Sequence, residues 1–164
     1  MPVIREATSA DAPALLECIQ LLAEYEREPD VVVNTIDRIR ELFFGPNPAV
    51  FAHVAKDAGE VVGIAIWYLT YSTWEGEHGI HLEDLYVKDA HRGRGHALAL
   101  MRQLAAICTE RGYARFEWAV LDWNQLAIDF YERLGAEPMT GWHIRRLEGE
   151  ALAALAAQHP VANG

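Results

Sequence analysis

The stretch from His81 to Leu98, HLEDLYVKDAHRGRGHAL, constrains the fold more than any other part of the chain, because a strand pattern runs into a glycine- and arginine-rich turn that opens a helix. Leu82, Leu85, Tyr86 and Val87 read as the half-buried end of a strand, and Leu98, Met101, Ala105 and Cys108 then recur at helical spacing. Between them lies the turn, Arg92 to Ala97. Gly93 and Gly95 carry no side chain to block a ligand, so backbone N–H groups at the helix start can point at an anion, aided by the helix dipole. Arg92 and Arg94 can add charged forks. The layout suits a phosphate group.

At 164 residues and 51% hydrophobic, the chain predicts one domain over residues 1–164. No segment approaches the roughly 20 apolar residues of a membrane span, and the start, MPVIREATSADAP, shows no basic flank followed by an apolar signal core. The expectation is a cytoplasmic protein with no membrane partner. The net charge of −10 argues against nucleic acid, which is bound by clustered Lys and Arg, and favours cationic ligands. Lys88, His91, Arg92, Arg94 and His96 reverse that sign locally, and the interspersed glycines make an anion site a better reading than a solvated charge run. Cys18 and Cys108 fall on apolar helical faces and belong to the core.

Neither repeats nor low-complexity segments interrupt the chain. Val3 to Glu6 predicts a first strand, after which Thr8 or Ser9 caps a helix whose Leu15, Ile19, Leu22 and Ala23 form one stripe. Asn34 or Thr35 caps a shorter helix. Val50 to Lys56 and Val61 to Tyr71 predict a hairpin closed at Asp57-Ala58-Gly59-Glu60. The strand of the opening motif starts near Gly79. Arg115 to Val120 predicts a further strand, Asn124 to Leu134 a helix, Trp142 to Leu147 a last strand, and Ala151 to Gln158 a terminal helix. A meander followed by alternating elements implies an α/β fold, a mixed sheet with helices on both faces.

Arg92-Gly93-Arg94-Gly95-His96-Ala97 fits the acetyl-CoA motif of the GNAT superfamily of N-acetyltransferases: Arg or Gln, any two residues, Gly, any residue, then Gly or Ala. Tyr25-Glu26, Leu82-Glu83-Asp84, Trp123-Asn124, Phe130-Tyr131 with Gly135-Ala136, and Gly141-Trp142 narrow the resemblance to the spermidine/spermine (diamine) N-acetyltransferases. It covers nearly the whole chain. It implies the GNAT fold, with a mixed, mostly antiparallel sheet of about six or seven strands, and a homodimer. The dinucleotide fingerprint G-x-G-x-x-G is met only in part, since Leu98 stands at the third glycine, and no Gly-Lys followed by Ser or Thr marks a nucleotide-hydrolase loop.

The resemblance also assigns chemistry. Acetyl transfer from a thioester needs a neutral amine, whereas a free alkylammonium has a pKa of about 10.4. The family's substrate-side carboxylate falls on Glu83, acting on the amine proton directly or through water. Strand alternation sends Asp84 to the opposite face unless a bulge intervenes. From composition alone, Glu83 and Asp84 would read as an exposed strand-end pair. Tyr131 matches the family's general acid, although periodicity alone makes Phe130, Tyr131 and Leu134 the buried face of a helix. Backbone N–H groups of Leu85, Tyr86 and Val87 could serve the oxyanion if a bulge splays the sheet. The coenzyme's pantetheine arm is expected along these residues and its pyrophosphate on Arg92, Gly93, Arg94, Gly95, His96, Ala97 and Leu98. Asn124, Gln125, Leu126 and Ala127 match a further coenzyme-contacting stretch.

Tyr25, Glu26, Glu83 and Trp142 match the family's amine pocket, where carboxylates and aromatic faces suit a cation. Trp74, Glu117, Trp118 and Ala119 also align with the substrate side. Two departures bear on the substrate. Polyamine acetyltransferases carry Asp-Pro-Trp where this chain has Ser72-Thr73-Trp74, and Met139-Thr140 replaces an acidic stretch. With one carboxylate fewer, a lysine-like amino acid, a short diamine or another small amine fits better than a long polyamine. His78 and His81, three apart on a strand, point to opposite faces and leave no metal site assigned. Two other functions remain open: a non-catalytic acyl-CoA sensor, or an acetyltransferase of protein N-termini or lysine side chains.

Overall fold

The hairpin predicted around Asp57 is the centre of the sheet. In the computed structural model, which describes residues 2–159, β2 (Phe51–Asp57) and β3 (Glu60–Ser72) pair antiparallel across that turn. β1 (Val3–Glu6) adds antiparallel to β2, and β4 (Glu77–Val87) antiparallel to β3. β5 (Arg115–Trp118) runs parallel to β4, so the five strands lie in sequence order. The sheet is mixed and mostly antiparallel, as expected.

Alternation along β2 and β3 sends neighbouring side chains to opposite faces. Ala52, Val54, Ile64 and Ile66 form one buried core with Ala12, Leu15 and Cys18 of α1 (Ala12–Tyr25) and Ile39 of α2 (Ile36–Phe44). The other face, with His53, Ala55, Ala65 and Trp67, is covered by α3 (His96–Arg111), whose Leu100, Met101, Leu104 and Ile107 are buried. The Trp67 indole donates to His53 Nδ1 at 3.1 Å, satisfying two polar groups inside that layer.

Local chemistry sets the helix starts. Thr35 caps α2 by accepting from the Arg38 N–H at 3.1 Å. A 3-10 turn, Ser9–Asp11, precedes α1, where the Thr8 N–H donates to Asp11 at 2.7 Å and the Arg5 guanidinium grips the same carboxylate at 2.7 and 2.9 Å. That hydrogen-bonded Arg5 holds the Asp11 carboxyl at about 2, below the usual range. Both cysteines are buried, and burial pushes the Cys18 thiol up to about 11.

Contacts divide the chain into two compact units, one ending at Trp123 and one beginning at Asn124. The second holds α4 (Gln125–Arg133) and α5 (Gly149–Ala156). The strand expected over Trp142–Leu147 is not formed: those residues are irregular and exposed, and no described strand offers them a ladder. This accounts for five strands among the described residues rather than six or seven. β5 likewise stops at Trp118 instead of reaching Val120.

Candidate active site

Two irregularities in β4 open the sheet. Ile66 faces Asp84 while Trp67 faces Leu82, so Glu83 is the extra residue of a bulge. On the other side, β5 pairs with β4 only from Gly79↔Arg115 to Leu82↔Trp118. Pairing with β5 therefore ends where the bulge begins. Beyond it, the Lys88 N–H bonds back to Val62 at 2.9 Å, and ladder alternation then directs the N–H groups of Val87 and Leu85 away from β3. The side chains of Tyr86 and Val87 are buried, so this edge offers backbone rather than side-chain groups.

The bulge is the exception to strand alternation, and with it Asp84 no longer faces away from Glu83. Glu83, Asp84 and Glu26, the residue that ends α1, interact as a group of three carboxyls. Burial, followed by the repulsion of Glu83 and then Glu26, raises Asp84 to about 7. Burial and then Glu83 also push the Glu26 carboxyl up. Glu83 itself is exposed, with one oxygen 3.6 Å from His81 Nε2, and the His81 ring stacks on Tyr68 with centroids 4.9 Å apart. Burial and Glu83 raise the Tyr68 phenol. Such a cluster is costly while empty and relieved by a cation. Asp84 was missed in the sequence because the bulge inverts the alternation on which the reading relied.

Tyr25 lies beside the cluster at the end of α1, its ring 6.1 Å from Trp123 and 4.8 Å beneath the Arg92 guanidinium. Trp74 sits in the β3–β4 turn and is 82% exposed. Ser72, where the polyamine enzymes carry Asp, accepts from the Glu75 N–H at 3.2 Å and so shapes this turn. On β5, Phe116 and Trp118 share one side, with rings 4.9 Å apart, and Glu117 and Ala119 are exposed.

The glycine-rich turn follows β4 through a 3-10 turn, Asp89–His91. Gly93 (φ +74°) and Gly95 (φ +83°) adopt the left-handed conformation, and the space a Cβ would fill at either is open. Gly95 is the N-cap of α3 and brings no side chain to the first-turn N–H groups of His96, Ala97 and Leu98. The cradle fits a pyrophosphate. The cations around it are held by the protein: Lys88 by Glu17 at 2.8 Å, Arg92 by Asp89 at 2.9 Å, and Arg94 by Asp57 at 3.3 Å. Arg92 also donates to the Val87 carbonyl at 3.2 Å. The hydrogen bond from His91, ahead of the charges of His91, Arg94 and His96, lowers the Asp57 carboxyl. The His96 side chain is buried, leaving only its backbone to the cradle.

In the second unit, Asn124 caps α4, accepting from the Ala127 N–H at 3.3 Å, with Gln125 and Leu126 exposed in the first turn. Tyr131 is half-buried on the same helix, its ring 5.4 Å from Phe130, and its carbonyl accepts from Leu134 and Ala136 at 3.0 and 3.2 Å. Trp142 is 72% exposed.

Comparison with known proteins agrees with this architecture. Residues 15–136 match the Acetyltransferase (GNAT) family. The chain is 40% identical over 167 residues to a thialysine N-epsilon-acetyltransferase of Sus scrofa, covering 95% of this chain and 98% of that one. It is 32% identical to a spermidine/spermine N(1)-acetyltransferase-like protein 1 of Homo sapiens, covering 93% of this chain and 23% of that protein. An integron cassette protein from the mobile metagenome of V. cholerae shares the fold, with a TM-score of 0.79 at 22% identity over 94% of this chain and 97% of that one. Among the described residues, no helix is long and apolar enough to cross a membrane. A bulged and splayed fourth strand leading to a glycine-lined helix start, in a chain so matched, belongs to the GNAT family of acetyltransferases, and the protein is an N-acetyltransferase.

Proposed function

We propose that the enzyme transfers acetyl from acetyl-CoA to the side-chain amine of a lysine-like small molecule such as thialysine. The observation that carries this reading is the cluster of Glu26, Glu83 and Asp84 at the bulge, which suits a cationic substrate. The named activity of the relative from Sus scrofa favours a lysine analogue over a polyamine, and so does Ser72, which leaves one carboxylate fewer for a second ammonium.

Acetyl-CoA, when bound, supplies an activated acyl group. The N–H groups of the α3 start, from His96 to Leu98, would hold its pyrophosphate, with Arg92 and Arg94 adding charge once released from their partners. The outward N–H groups of Leu85 and Val87 would bind the pantetheine arm and stabilise the oxyanion. The family resemblance adds Asn124 to Ala127 to the residues that contact the coenzyme.

Asp84 and Glu26 hold the substrate ammonium, and Tyr25, Tyr68 and Trp74 give it aromatic faces, to which the family resemblance adds Trp142. Glu117, Trp118 and Ala119 flank the acceptor from β5. Glu83, exposed and next to the two half-buried carboxyls, accepts the proton that frees the amine, directly or through water. The amine nitrogen would then bond to the acyl carbon as the carbon–sulfur bond breaks, with the Tyr131 phenol, in the role the family resemblance gives it, protonating the departing sulfur. Homodimerisation and a cytoplasmic setting belong to the same proposal, resting on the family resemblance.

Thiol release from acetyl-CoA tests it, across thialysine, lysine, short diamines, spermidine, lysine-bearing peptides and a blank without amine. Turnover highest with the lysine analogues is expected, together with loss of turnover but retained acetyl-CoA binding in Tyr131→Phe. Preference for peptides would make the acceptor a protein. A flat panel despite coenzyme binding would overturn the substrate assignment.

A further inference from the structure

Asp57, His91 and His96 come together from three segments: the end of β2, the 3-10 turn after β4, and the first residue of α3. Asp57 Oδ2 lies 3.2 Å from His91 Nδ1 and 4.0 Å from His96 Nε2, and one ligand atom from each residue lies within 4.8 Å of the others. His96 is 4% exposed, and neither of its ring nitrogens has a hydrogen-bond partner. Leaving a buried polar group unsatisfied costs about 1–3 kcal/mol. A hydrogen bond accounts for His91 with Asp57 but not for the orphaned imidazole beside the same carboxylate. The acetyl transfer described above uses none of these three side chains.

We propose that Asp57, His91 and His96 form a binding site for a divalent transition-metal ion, of which Zn2+ is the best fit. Two imidazole nitrogens and one carboxylate oxygen match the donors Zn2+ takes, whereas Mg2+ and Ca2+ call for oxygen-rich sets. Tetrahedral Zn2+ with bonds of about 2.0–2.1 Å holds its ligand atoms roughly 3.3 Å apart. Asp57 stands 3.2 Å from His91 and 4.0 Å from His96, and with all three ligand atoms within 4.8 Å of one another the side chains need to close by at most about 1.5 Å. Asp57 and His91 are partly exposed, which leaves an ion a way in and a fourth ligand position for water. Arg94, 3.3 Å from the same Asp57 oxygen, is released when that oxygen takes the ion. A guanidinium next to the glycine-lined cradle is thereby freed.

The test uses the full-length protein stripped of metal with a chelator and titrated with Zn2+ alone against a chromophoric competitor, then with Co2+ as a spectroscopic probe. One equivalent of Zn2+ at micromolar affinity or better is expected, with Co2+ d–d bands of tetrahedral intensity. Asp57→Asn and His91→Gln, both on the open side of the cluster, should each weaken binding by about tenfold or more, since even outer-sphere partners of metal ligands commonly carry 10–100-fold. His78→Gln, remote from the cluster and exposed, should not. Circular dichroism and thermal melts establish that the variants are folded. Absence of stoichiometric binding overturns the proposal, as does affinity unchanged in folded Asp57→Asn and His91→Gln, or binding lost in His78→Gln.

Discussion

Replacing Asp84 with Asn measures what the carboxyl cluster costs the folded protein. Burial and the neighbouring Glu83 and Glu26 take the Asp84 carboxyl from 3.8 to about 7. At about 1.4 kcal/mol per pH unit, that difference corresponds to on the order of 4 kcal/mol. The sign follows from linkage. The folded state binds the proton more tightly than the unfolded chain, so the protein is most stable, as far as this group is concerned, below about pH 4. That stability is lost as the pH rises toward 7 and does not change further above it. Asn keeps the size and hydrogen-bonding capacity but never ionises, so the variant should gain on the parent steadily across this window, by about 2–4 kcal/mol at pH 8 once water reaching a half-buried site is allowed for. Urea unfolding followed by tryptophan fluorescence at pH 5, 6, 7 and 8, without substrate, reads the difference directly. The KM for the amine should rise in the same variant, because the proposed cation site loses its most buried carboxyl. Parallel stability curves for parent and Asp84→Asn would refute the reasoning, showing that the carboxylate is already solvated or paired.

Asp11→Ala removes the Arg5 fork and the Thr8 N–H acceptor together, and should cost about 2 kcal/mol at pH 7. Because the folded pKa is lowered to about 2, the parent's advantage should shrink as the pH falls from about 4 toward 2. A constant difference in acid melts would count against the ion pair as its source. Gly79→Ala places a Cβ 2.7 Å from the Arg115 carbonyl and 2.9 Å from Thr70 Oγ1, which should cost about 1–3 kcal/mol by forcing β4 and β5 apart. An unchanged urea midpoint would mean that the pair shifts freely. Cys18 and Cys108, both buried, should react with an aromatic disulfide reagent only on unfolding. Rapid labelling of the native protein would place one of them at the surface.

Much of this fold was legible because its signals are local. The Asp57–Glu60 turn between two apolar runs, the cap at Thr35 and the run from β4 through glycines into α3 each depend on a few consecutive residues, and each formed where expected. Trp142–Leu147 shows the limit of such reading. Its apolar residues resemble a strand, but a strand exists only where a neighbour completes its ladder, and a single segment carries no information about that neighbour.

The candidate site depends more heavily on such long-range facts. The motif predicted the glycine-lined cradle, since φ above zero at Gly93 and Gly95 is a property of the turn itself. Whether Arg94 stands free could not be read there, because its partner Asp57 lies far away in the chain, in the β2–β3 hairpin. Glu83 and Asp84 make the same point at closer range. Along a regular strand, alternation assigns them to opposite faces, and that rule is sound for as long as pairing with β3 stays in register. A single extra residue between Leu82 and Asp84 breaks the register. Asp84 then returns to the face that carries Ile64 and Ile66, close to Glu26 at the end of α1, while Glu83 is left at the bulge within reach of His81. The same interruption coincides with the end of the β5 ladder, so one irregularity both gathers the carboxyls and exposes the backbone edge beside them. The proposed chemistry therefore turns on where β4 departs from regular pairing with β3.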